Sequence, residues 1–111
     1  MTKDDIISLL VPLDKAIEHA GSPSKSIKDE NSTYVTFKWK LNHVSCKNVR
    51  FCYQVNDEEI RYIDYVRIQN YTQTPAITNG STIKYWFEME SSSLEGKPVG
   101  WEKINERTLT V

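Results

Sequence analysis

The chain is poor in the residues that make chemistry conspicuous. It has two cysteines and two histidines in 111 residues. Two cysteines cannot build the disulfide framework of a small secreted domain, so the thiols read as free and the compartment as reducing, that is, cytoplasmic. The order His43-x-x-Cys46-x5-Cys52 offers imidazole and thiolate, the donors zinc takes. A closed zinc site needs four ligands, and only distant His19 could supply the fourth, so no metal or other cofactor is expected. Four glycines and four prolines leave no glycine-rich phosphate loop and no low-complexity tract. No apolar run approaches the ~18–20 residues of a membrane span. Asp4 and Asp5 precede the apolar run Ile6–Leu13, and no small-residue cleavage site follows it, so no signal peptide is expected. The sequons at Asn31, Asn70 and Asn79 then read as turn and strand-end residues. A net charge of −1 gives no global field toward nucleic acid or acidic lipid.

What is present is alternation. Val35, Phe37, Trp39 and Leu41 alternate with Thr36, Lys38 and Lys40. Val49, Phe51, Tyr53 and Val55 alternate with Arg50, Cys52 and Gln54. That is the period of strands with one buried face, and two such runs in succession predict a hairpin. A third strand is expected over 60–71 and a fourth over 82–90, where Ile83, Tyr85, Phe87 and Met89 share a parity. The last strand, 101–111, has a fault: Leu109 and Val111 are out of phase with Ile104, which predicts a bulge around Asn105 and Glu106 or two short pieces. Asn79-Gly80 is a turn pair.

Ahead of the strands, Ile6, Leu9, Leu10, Leu13, Ala16, Ile17 and Ala20 recur at helical spacing. A helix is therefore expected over 2–20, started by a capping box at Thr2 and Asp5, kinked at Pro12 and stopped at Gly21. Residues 22–32 are polar and read as a mobile linker, with Ile27 pinning it to the body. The expected architecture is a single α+β domain, residues 1–111. In it the N-terminal helix packs on a curled four- to five-stranded antiparallel meander over 33–111. In element order alone this resembles the cystatin-like or NTF2-like arrangement, which carries over no functional residue. The alternative is a β-sandwich or open barrel with the helix at one end.

No motif carries chemistry by itself, so function is read from surfaces. The leading expectation is a non-enzymatic interaction module of inhibitor, immunity or accessory type, or a homodimer. It would act through an outer face of the sheet bearing Ile63, Tyr65 and Trp86 with Arg61, Arg67 and Lys84, aromatic and arginine side chains of the kind that dominate interfaces. Trp86 stands at an outward parity and leaves apolar area wet unless a partner covers it, with Arg67 placed to stack on its ring. The second expectation is a ligand-binding or catalytic pocket between helix and sheet. There Asp64, in the middle of an apolar row, would be a buried carboxylate of raised pKa with Tyr62, Tyr53 and Tyr85 around it; a bulge turning Asp64 outward is the bland reading. The third is weak single-strand binding by the basic run Lys38, Lys40, Lys47 and Arg50. The pI of 6.1 argues against a dedicated nucleic-acid binder.

Overall fold

The computed structural model describes residues 13–42, 48–92 and 98–111. They form nearly all β structure: nine strands in two antiparallel sheets. In the first sheet the long strand β3 (Ser32–Leu41) is central. β1 (Ile17–His19) pairs with its C-terminal end and β2 (Ser24–Ile27) with its N-terminal half. β6 (Tyr71–Gln73) and β7 (Ile77–Thr78) also pair with β3. Lys38 O accepts from Ala20 N while Trp39 N donates to Asn70 O. Successive residues of a strand face opposite neighbours, so β1 and β2 share one edge of β3 and β6 and β7 the other. The second sheet runs β5–β4–β8–β9, from β5 (Arg61–Ile63) and β4 (Val49–Val55) to β8 (Thr82–Ser92) and β9 (Pro98–Thr110).

The two sheets face each other over an aromatic core. Phe37 and Trp39 of β3 meet Phe51 of β4 with ring centroids 5.1 and 5.3 Å apart, and Phe37 lies 4.7 Å from Tyr85. Val35, Phe51, Ile83 and Phe87 are wholly buried among them. Trp39 also donates Nε1–H to Val66 O at 3.1 Å, which satisfies its one polar atom inside the core.

This arrangement overturns the helix-on-meander expectation. Of the predicted helix, residues 2–12 lie outside the described residues, and 13–16 form one helical turn. Residues 17–19 are strand β1. β1 makes the ladder Ile17–Leu41, Glu18–Lys40, His19–Trp39. The edge of β3 needs backbone partners, and that demand overrides the helical spacing of Ala16, Ile17 and Ala20. Gly21, at φ 76°, turns β1 into β2 and is not a helix stop. The expected linker contains β2, and Ile27 is 83% exposed, so it pins nothing.

The expected hairpin is also absent as such. β3 and β4 do not pair; they lie in opposite sheets with their apolar rows facing. The third strand breaks in two: β5 joins the second sheet, and after a turn at 66–68 the chain crosses to the first as β6. Asn79-Gly80 does turn, with Gly80 at φ 90° and Ser81 N donating to Thr78 O, but it too passes the chain between sheets.

The bulge in the last strand is where the phase fault put it. Tyr85 pairs with Arg107 and Phe87 with Ile104, so Asn105 and Glu106 together oppose Trp86. Asn105 takes the left-handed conformation at φ 53°, which asparagine tolerates better than most residues. Its Nδ2 donates to Ile17 O at 2.9 Å, and its carbonyl accepts from His19 Nε2 at 2.7 Å. The bulge thereby ties the second sheet to β1 of the first.

Phe51→Ala is expected to cost about 3–5 kcal/mol, as large aromatic truncations in a core do. Chemical denaturation reads this directly, and a midpoint equal to the parent's would mean that the β3 and β4 rows do not face each other.

Candidate functional site

The outer face of the β5–β4–β8–β9 sheet carries an ordered layer of large side chains. The register places Tyr62, Cys52 and Trp86 in one row across three strands. The next row holds Arg50, Glu88 and Lys103. Trp101 lies one row further, opposite Glu90. The Arg50 guanidinium bridges these rows. Its carbon sits 4.2 Å from the Tyr62 ring centroid and 3.9 Å from that of Trp101. Nε and Nη2 of Arg50 donate to Glu88 Oε1 at 2.9 and 2.6 Å. The other carboxylate oxygen accepts Trp86 Nε1–H at 2.8 Å, and Lys103 Nζ lies 4.1 Å above the Trp86 ring.

Burial would raise the Glu88 carboxyl pKa, but bonds from Trp86 and Arg50 outweigh it and hold the group below its usual range. For Arg50, burial lowers the pKa, and the Glu88 bond and charge more than restore it. Both groups are therefore charged, and each fixes the other. Beneath them Cys52 is fully buried, and desolvation, with the charge of Glu88 adding to it, pushes its thiol up to about 12. It is a structural thiol and no nucleophile.

Several expected site residues lie elsewhere. Trp86 is on the outer face as expected, yet it is only 2% exposed, covered by its own chain. Lys103, on β9, lies over its ring; Arg67 is an exposed residue of the 66–68 turn. Ile63 pairs with Phe51 and packs against the core, so it and Arg61 have the inward parity. Tyr62 takes the outward position assigned to Ile63, because the third strand's parity is one residue out. Tyr65 is 40% exposed on the crossover, where its hydroxyl meets Thr72 Oγ1 at 2.7 Å. Lys84 is exposed on the outer face.

Asp64 is exposed and beyond the end of β5, so the buried-carboxylate reading fails, and Tyr62 lies on the outer face beside Arg50. Tyr53 and Tyr85 fill the core. A cleft of about 470 Å³ does open at one end of the sandwich, lined by Tyr53, Glu58, Glu59, Arg61 and Ile77 among others, but Asp64 is not in it. The basic run does not form one surface. Lys38 and Lys40 point outward from the first sheet, Arg50 outward from the second, and Lys47 is outside the described residues. His43 and Cys46 are likewise outside them, and no metal-holding cluster occurs among the described residues.

Trp101, Glu88 and Lys103 were missed as members of the site. The signal existed for two of them: with Ile104 inward ahead of the bulge, Lys103 and Trp101 fall outward. Comparison of the chain with protein-family models, with curated proteins and with solved structures finds no match.

The layer sets two expected outcomes. Trp86→Ala is expected to destabilise by about 3–5 kcal/mol, like other buried aromatics, while Tyr62→Ala costs about 1 kcal/mol or less. Equal melting temperatures for the two variants would contradict the burial of Trp86. Cys52 should resist alkylation in the native protein at pH 8 and react on addition of denaturant; rapid native labelling at that position, followed by mass spectrometry of the peptide, would show that the layer opens.

Proposed function

We propose that this protein is a non-enzymatic module that binds another protein through the outer face of the β5–β4–β8–β9 sheet. Tyr62, Arg50 and Trp101 would form the centre of contact. The observation that carries this reading is the pair of half-exposed rings, Tyr62 at 48% and Trp101 at 38%, held on either side of one guanidinium. Tyrosine, tryptophan and arginine are the side chains that most often supply binding energy at interfaces. Here Glu88 already holds the Arg50 guanidinium that lies against both rings, so docking orders few new rotamers.

Charge supports a protein partner over a polyanion. Arg50, Lys84 and Lys103 on this face are balanced by Glu88, Glu90 and Glu106, and Lys103 and Glu106 are themselves paired at 2.7 Å. A face with no excess charge gives little long-range steering. Association should then be nearly insensitive to salt, whereas phosphate-backbone binding would fall steeply as salt rises.

The test places a photo-crosslinking amino acid at Tyr62, at Trp101 and, as a control on the opposite outer face, at Lys38. One partner captured from the source cell at 62 and 101 but not at 38, and bound by the purified chain until Y62A/W101A removes the binding, is the expected result. Capture of a second copy of the chain would identify the partner as self, checked by light scattering. Equal capture at all three positions, or binding that survives Y62A/W101A, would overturn the assignment.

A further inference from the structure

On the side of the molecule where β1 meets the β9 bulge there is a cavity of about 320 Å³, lined by Lys15, Glu18, His19, Lys40, Asn105 and Arg107. The bulge makes it. By placing two residues opposite Trp86, it reverses the parity of the rest of β9, so Arg107 pairs with Tyr85 and faces inward toward β1. Without the extra residue Arg107 would stand on the outer face with Lys103. Re-aiming a side chain is a recurrent use of such bulges.

Three cations and one carboxylate line the cavity, and that carboxylate is engaged. Glu18 accepts from Asn42 Nδ2 at 2.7 Å and from Lys15 Nζ at 3.5 Å. Lys40 and Arg107, from different sheets, make no hydrogen bond or ion pair through their side chains among the described residues. His19, facing inward on the same cavity, is half-buried, its ring 4.6 Å from Phe87 and 5.0 Å from Tyr85, with Nε2–H committed to the Asn105 carbonyl, while Lys40 reaches the cavity from the outer side of β1. Nδ1 is thus the ring atom left to take a proton.

We propose that this cavity binds a small phosphate-bearing dianion between Arg107, Lys40 and His19. Two cations from different sheets, neither hydrogen-bonded through its side chain among the described residues and Lys40 acting on Glu18 through its charge alone, match a dianion, and a guanidinium presents its paired N–H groups to a phosphate's oxygens. Burial and the nearby Arg107 now keep the imidazole neutral by lowering its pKa. A bound dianion reverses the local field, so binding takes up a proton at His19. The groups facing that ring are Arg107 from β9 and Tyr85 from β8, with Lys40 and Glu18 on the same cavity wall.

The experiment titrates the purified chain with inorganic phosphate and with methyl phosphate at constant ionic strength, followed by NMR. Sulfate serves as a dianion that does not itself titrate near neutral pH. Saturable shifts at His19, Lys40 and Arg107 are expected, with K40Q and R107Q each weakening binding about five- to tenfold and K84Q, on the outer face of the second sheet, leaving it unchanged. Sulfate binding should strengthen between pH 8 and pH 6, with proton uptake seen in the buffer dependence of the binding heat, and H19Q should remove that dependence. Methyl phosphate binding as well as phosphate would point to a monoester ligand, and phosphate alone to the free ion. No saturable binding, or K40Q and R107Q binding as the parent does, would overturn the proposal.

Discussion

The structure depends on the contact between two aromatic rows that never pair as strands. Phe37 and Trp39 project from β3, Phe51 from β4, Tyr85 and Phe87 from β8, and the rings meet within 4.7–6.4 Å across the gap between sheets. Removing this much aromatic surface from water, at about 25 cal/mol per Å², is the main drive for closing the sheets on each other. The short strands around β3 are a consequence. Once β3 is committed to the core, its edges must find hydrogen-bond partners, and segments of two to four residues are recruited to supply them.

A second constraint is the single extra residue in β9. It holds Ile104 and Leu109 against the core despite their different phase, and it anchors β1 through Asn105. It also divides the polar residues of one strand between two surfaces. Trp101 and Lys103, before the bulge, join the Arg50 layer, and Arg107, after it, joins His19 and Lys40. The two surfaces proposed for binding therefore owe their separation to one local irregularity.

The outer layer shows how a sheet face can be apolar beneath and charged above. Cys52 and Trp86 are as buried as the core. Their cover is Arg50, Lys103 and Glu88, long side chains whose stems lie over apolar area while Arg50 bonds Glu88 and Lys103 bonds Glu106. Tyr62 and Trp101, at the margins of that cover, keep a large part of their surface in water.

Alternation in 35–41, 49–55 and 83–89 was enough to name most of the core, though not Ala16, Ile17, Val66 or Ile77, and the phase break between Ile104 and Leu109 was enough to locate the bulge. Both are local properties of a chain with a period of two. What the local pattern does not contain is pairing. Two runs with buried faces look the same whether they lie side by side or face each other, so β3 and β4 read as a hairpin although they belong to opposite sheets. The segment 17–19 carried helical spacing and became strand because β3 offered it a ladder. Parity in 60–71 misleads because the break after Ile63 has no apolar signature, and that one slip displaces Asp64, Ile63 and Tyr62 together. The candidate site suffered the same limit. Arg50, Tyr62, Trp86 and Trp101 were visible as residue types, but their meeting needs the register of four strands at once. Residue order alone settles which side chains leave water. Which of them meet is decided in three dimensions, because strand pairing is a contact between distant segments and leaves no trace in either one alone.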